Sequence, residues 1–142
     1  PTRARLREPQ LEGVHVLVVD DEEDACEMLA TALAEFGART RTAHSARAAI
    51  RVLRAWRPDV LVADIGMPVE DGYQLIALVR ALEADEGGAI PAIALTAYAQ
   101  HEDRVRALAA GYQEHIAKPA DPRDLALLLD DLVHRPTSRQ SA

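Results

Sequence analysis

An open α/β sheet, doubly wound and made of five parallel strands, is the fold class this sequence predicts. Two observations carry it. Five short apolar runs alternate with five longer segments whose apolar residues recur at helical spacing. The first, third and fourth runs are apolar almost throughout, as strands covered on both faces must be. Right-handed crossovers between parallel strands then wind the helices onto both faces.

The elements follow in order. Strand one is expected over 14–20, where Val14-His15-Val16-Leu17-Val18-Val19 ends in Asp20. Helix one covers 24–36, with Leu29, Ala32, Leu33 and Phe36 on one face. Gly37 stops it in the position just past a helix end that glycine favours. Residues 38–43 alternate weakly and form a short strand two that exposes Arg39 and Arg41. Ser45 caps helix two, whose face is Ala46, Ala49, Ile50 and Leu53, and Pro58 closes that region. Strand three is 60–64. Helix three is expected over 71–86, with Leu75, Leu78, Val79 and Leu82 on one face and Gly87-Gly88 as its breaker. Strand four is 92–96, and helix four covers 100–110 up to Gly111. Strand five, 113–117, is weak. Asp121-Pro122 opens helix five, with proline at its favoured first position and Leu125, Leu128, Leu129 and Leu132 facing inward.

Composition narrows the function classes. The 142 residues suffice for one domain with a core. At 49% apolar the chain is not expected to be disordered. Its apolar runs fall far short of the ~20 residues that span a bilayer. No basic-plus-apolar leader opens it, and the lone Cys26 can form no internal disulfide, so a cytoplasmic location is expected. Cys26 lies in a helical stretch and reads as a packing residue. A formal charge of -7 argues against nucleic-acid binding as the main surface property. Arg3, Arg5 and Arg7 sit in a polar segment with Pro1 and Pro9. Residues 1–12 are therefore expected to be a tail or linker, 13–134 the folded domain, and 135–142 a second polar tail.

The chemistry gathers at strand ends. Asp20 and Asp21 follow strand one, Asp64 closes strand three, Thr96 closes strand four, and Lys118-Pro119 follows strand five. An Asp after a strand is a common turn residue. Four such ends are a stronger signal, because doubly wound sheets bind ligands outside their strands' carboxyl ends. Three converging carboxylates need a cation or raised pKa values. Oxygen clusters select hard cations, and Mg²⁺ takes one or two carboxylates plus phosphate oxygens. A carboxylate kept ionised in this way can attack phosphorus. Lys118 and a hydroxyl would then offset charge on the transferring group's oxygens.

These residues resemble the receiver domain of two-component response regulators over roughly 13–133. The motifs are Val18-Val19-Asp20-Asp21-Glu22, the run from Asp64-Ile65-Gly66-Met67-Pro68 to Val69-Glu70-Asp71-Gly72, Ala94-Leu95-Thr96-Ala97, and Lys118-Pro119. The resemblance implies a flavodoxin-like sheet of order 2-1-3-4-5. It implies that Asp64 accepts a phosphoryl group from the phosphohistidine of a sensor histidine kinase or a histidine phosphotransfer protein. Asp20, Asp21, Asp64 and the carbonyl of Gly66 would hold Mg²⁺ or Mn²⁺. Thr96 and Lys118 would bind phosphoryl oxygens, and Thr96 with position 115 would act as the switch. At that position the family usually keeps an aromatic, and this chain has His115. Tyr98, two residues past Thr96, is placed to shield the site. A dimer through helix four, strand five and helix five is a further expectation, as is a parent chain that is either this receiver alone or a hybrid kinase.

Two other functions compete. One is an adaptor with the same fold that signals without phosphorylation. The other is a Mg²⁺-dependent phosphatase. Such hydrolases would be expected to carry a second acid two residues past the nucleophile, where this chain has Gly66. No Gly-rich phosphate loop is present, since Gly87-Gly88 lacks a strand before it and a Lys-Ser/Thr after it. Glu22 and Glu23 read as a solvated acidic rim, and Trp56 and Tyr73 as packing residues.

Overall fold

The computed structural model describes residues 8–97 and 101–134. Its strands are β1 (His15–Val19), β2 (Arg39–Ala43), β3 (Val60–Asp64), β4 (Ala92–Thr96) and β5 (Glu114–Ala117). Its helices are α1 (Glu23–Ala34), α2 (Ala46–Trp56), α3 (Gly72–Arg80), α4 (His101–Ala110) and α5 (Pro122–His134). The strands are all parallel and lie in the order β2-β1-β3-β4-β5. This is the expected flavodoxin-like topology.

Strand alternation divides the core into two layers. On one face Leu17, Val19, Leu61 and Ala63 pack with Leu53 of α2 and Leu75 and Ile76 of α3. On the other, Val16, Val18, Val60 and Val62 pack with Leu33 of α1 and Leu125 and Leu129 of α5. Every residue of β3 and β4 is buried, which is why those runs contain no polar residue before their last position. Cys26 is part of the second layer, and its Sγ–H donates to the Val18 carbonyl at 3.3 Å.

The caps act as the sequence suggests. Ser45 accepts from the Ala48 N–H, and Asp121 accepts from Arg123 and Asp124. Asp71 and Gln74 form a reciprocal capping box at the start of α3. Two expectations need correction. Helix three does not run to 86. It ends at Arg80, and Glu83 starts a separate 3₁₀ turn over Ala84–Glu86. The cause is the Gly87-Gly88 turn, in which the chain folds back so tightly that a Cβ on Gly88 would lie 2.0 Å from the Leu82 carbonyl oxygen. The Arg80 guanidinium ties this turn to the α4–β5 connection through the Gly88 and Gly111 carbonyls.

The second correction concerns the tail expected over 1–12. Residues 1–7 and 135–142 lie outside the described residues. Leu11, however, is fully buried and its N–H donates to the Phe36 carbonyl. Gln10 N–H donates to buried Asp130, and Glu8 pairs with Arg123 at 2.9 Å. Burying one leucine, about 1.5–3 kcal/mol, holds this otherwise polar segment against α5.

Gly72 starts α3 against the loop that carries Asp64. A Cβ there would lie 2.7 Å from Ile65 Cα and 2.8 Å from the Asp64 carbonyl oxygen. Tyr112, buried on the α4–β5 connection, donates its hydroxyl to the Gly72 carbonyl at 2.7 Å. Gly72→Ala is therefore expected to cost about 1–3 kcal/mol through overpacking, read as a lower urea midpoint. An unchanged midpoint would contradict this packing. Burial, with the Asp20 charge adding to it, pushes the Cys26 thiol up to about 12. At pH 8 a maleimide should then label Cys26 no faster than the chain unfolds, and labelling of folded protein at the rate of free cysteine would contradict its burial.

Candidate functional site

Register brings the strand-end residues together. Val19 pairs with Ala63, so Asp20 and Asp64 leave adjacent strands side by side. Asp64 pairs with Leu95, and Thr96 follows on β4. Thr96 pairs with Ala117, which sets Lys118 at the same edge, and the Lys118 N–H donates to the Thr96 carbonyl at 2.7 Å. The result is one cluster. Carboxylate oxygens of Asp20, Asp21 and Asp64 all lie within 4.8 Å of one another. The Lys118 ammonium is 3.4 Å from Asp64 Oδ1 and 3.7 Å from Asp20 Oδ2. The Lys118-Pro119 peptide bond is cis.

Local hydrogen bonds hold the carboxylates in place. Asp64 Oδ1 accepts from the Gly66 N–H at 3.1 Å, and Asp20 Oδ1 accepts from the Glu22 N–H at 3.0 Å. His44 Nδ1 lies 3.0 Å from the Asp20 carbonyl oxygen. Asp20 and Asp64 are buried, at 4% and 5% exposure, so water screens them poorly. Burial raises the pKa of Asp20, and the Asp64 charge adds to the rise against the Glu22 N–H and Lys118. Burial disfavours the Lys118 ammonium, but Asp64 and Asp20 outweigh it and carry its pKa upward. The site therefore holds one ammonium among three carboxyl groups. That donor set is all oxygen, over-supplied with negative charge and open on the Asp21 side, which fits a hard divalent cation.

Thr96 is buried at 5% exposure, and its Oγ1 lies 2.8 Å from His115 Nε2. The histidine at the usual aromatic position is thus in direct contact with the strand-four hydroxyl. Tyr98 lies outside the described residues. Glu22 and Glu23 are exposed, as expected of a rim. Tyr73 packs against the core and lies under Arg106 of α4, with the guanidinium 3.9 Å from the ring centre.

Two supports of the site have no signature in the sequence. His44 steadies Asp20 and falls just after an unremarkable strand. Tyr112 anchors the start of α3. Neither carries a signal, because each acts through a contact between distant segments. The Asp64 loop carries Val69 at φ 66 and 96% exposure, a backbone conformation that strains a β-branched residue.

The chain belongs to the response regulator receiver domain family, whose model matches residues 16–130. It is 42% identical over 119 residues to an uncharacterized 14.6 kDa protein in the sodA1 3' region of Leptolyngbya boryana, covering 84% of this chain and 89% of that one. It is 35% identical over 121 residues to the response regulator SaeR of Staphylococcus aureus, covering 85% of this chain and 51% of SaeR. The chain thus spans about half of that regulator. The signal receiver domain of a signal transduction histidine kinase from Syntrophus aciditrophicus is also similar. It gives a TM-score of 0.75 at 32% identity, over 85% of this chain and 90% of that one. Receiver domains accept phosphoryl groups from histidine kinases and bind Mg²⁺ in an acidic pocket. Among the described residues no helix is long and apolar enough to cross a membrane.

The acidic cluster makes a stability prediction. Asp20 holds its proton more tightly in the folded chain than in the unfolded one, so its ionised form destabilises the fold. That penalty is present above its raised pKa and fades as pH falls through it. Asp20→Asn is accordingly expected to raise the melting temperature at pH 7 in EDTA and to lose the stabilisation that millimolar Mg²⁺ gives the parent chain. A lower melting temperature in EDTA, or equal Mg²⁺ stabilisation of both proteins, would contradict the cost of burying this charge beside Asp64.

Proposed function

We propose that this domain is a phosphoryl-accepting switch in which Asp64 is the acceptor. The observation that carries the reading is the cluster itself: Asp64 buried within 4.8 Å of Asp20 and Asp21, with the Lys118 ammonium 3.4 Å away. Asp20, Asp21, Asp64 and the Gly66 carbonyl are the residues to hold Mg²⁺. When bound, that ion neutralises the carboxylates and the phosphoryl oxygens. Asp64 Oδ attacks the phosphorus of a phosphohistidine, the P–N bond breaks, and the imidazole leaves with the bonding pair. Lys118 offsets charge on one phosphoryl oxygen and the Thr96 hydroxyl donates to another.

The acyl phosphate carries roughly -1.5 to -2 charges where the Asp64 carboxylate carried -1, and it places that charge on three phosphoryl oxygens. A Thr96 hydroxyl that turns toward the phosphoryl group must leave or share its 2.8 Å contact with His115. His115 then links the site to the α4-β5-α5 face, where Val105 and Leu108 of α4 are 50% and 37% exposed. That face is the proposed output surface, with a second copy of the chain as its occupant. The phosphodonor is a histidine kinase or a histidine phosphotransfer protein. The proposed location is cytoplasmic.

Beryllofluoride with Mg²⁺ is expected to shift the amide resonances around Asp64, Thr96 and His115, and acetyl phosphate is expected to label the chain with one phosphoryl group. Asp64→Asn should abolish both responses. Equal labelling of the Asn variant would remove Asp64 from its role, and absence of any response in the parent chain would favour an adaptor that works by contact alone.

A further inference from the structure

The net charge of -7 hides a strong local reversal. Residues 39–57 contain Arg39, Arg41, Arg47, Arg51, Arg54 and Arg57 and no Asp or Glu. All six arginines are exposed. Arg39 and Arg41 lie on the edge strand β2, whereas Arg47 and Arg54 lie on the flank of α2 that reaches residues on either side of α3. Arg39 and Arg41 alternate with Thr40 and Thr42 and share the sheet face of Ala43, which packs in the layer containing α2. Arg47, Arg51 and Arg54 recur at i, i+4 and i+7 along α2. The Arg41 guanidinium lies over Trp56, 5.0 Å from the ring centre.

Part of this charge is already engaged. Arg47 reaches Glu70 at 3.6 Å and Arg54 reaches Glu86 at 3.5 Å, while Arg57 donates to the Arg54 and Asp85 carbonyls. Arg39, Arg41 and Arg51 make no ion pair among the described residues. Beside them runs an open edge. β2 is the outermost strand, with β1 as its one neighbour. The Arg39 N–H and the Ala43 carbonyl bond toward β1, so alternation turns the peptide groups of Thr40 and Thr42 outward.

We propose that this edge docks a short acidic segment of a partner protein, bound in extended form alongside β2. An added strand places every second side chain about 7 Å apart, the same repeat that separates Arg39 from Arg41. Acidic residues at alternate positions would meet those guanidinium groups while the backbone pairs with Thr40 and Thr42. Charged edge residues also serve to keep sheets from associating. Here, though, two guanidinium groups without an ion pair among the described residues flank the outward-turned peptide groups of Thr40 and Thr42, so charge and open backbone sit together as an acidic strand requires. A long polyanion fits less well. The strip is only about 17 Å long on β2. Glu27 meets Thr42, Glu70 and Glu86 meet the arginines of α2, and the remainder of the chain is strongly acidic.

The test is titration of the isotopically labelled chain with a blocked seven-residue peptide alternating Glu or Asp with Thr and Val. Saturable shifts of the Thr40 and Thr42 amides are expected, weakening as salt is raised. A peptide with Gln and Asn in place of the acids should bind at least tenfold more weakly. The variant carrying Arg39→Glu and Arg41→Glu should lose at least tenfold in affinity for the acidic peptide while its urea midpoint stays near that of the parent. The proposal is overturned by shifts that do not saturate or avoid β2, by equal binding of the neutral peptide, or by unchanged affinity in the variant. Tighter binding of a short oligothymidylate than of the acidic peptide would overturn it in favour of a nucleic-acid surface.

Discussion

Repulsion among Asp20, Asp21 and Asp64 is the constraint on which the rest of this structure depends. Three carboxyl groups within 4.8 Å, two of them buried, are unfavourable in isolation. Lys118 offsets part of the cost and leaves a surplus of negative charge. The apolar strands beneath hold the acids together, since β3 and β4 are buried at every residue. Stability in the core is thus used to maintain a site that would otherwise spread apart. That surplus is the feature of the cluster that suits a divalent cation.

The site is coupled to its surroundings by few, specific contacts. Gly72 lets α3 approach the Asp64 loop, and Tyr112 ties the same glycine's carbonyl to the start of β5. Arg106 over Tyr73 joins α4 to α3. Thr96 and His115 share a hydrogen bond in place of the aromatic packing the family usually has there. A hydrogen bond is more directional than ring packing, so the position of the imidazole is tied to the orientation of the Thr96 hydroxyl.

Charge is distributed with the same economy. Acidic side chains gather at the carboxyl edge of the sheet, and arginines gather on β2 and α2. Averaging the two yields the moderate net charge of the whole chain and conceals both. Partner choice at such a surface rests on local complementarity, which acts over about a Debye length, and not on total charge.

Most of the fold was legible in the linear order of residues. Alternating runs define five strands, helical spacing defines five helices, and Ser45, Asp71 and Asp121 mark real helix starts. The site was legible too, because parallel strands bring their ends to one edge, and Asp20, Asp64, Thr96 and Lys118 are all strand-end residues. The sequence by itself therefore determined the fold class and the chemical character of the site. Tertiary structure alone decided the rest. It buried Leu11 in what reads as a polar tail, ended α3 at Arg80 because Gly88 must fold against Leu82, and set His44 on Asp20 and His115 on Thr96. These are contacts between segments far apart in the chain, and hydropathy or spacing carries no record of which distant groups will meet.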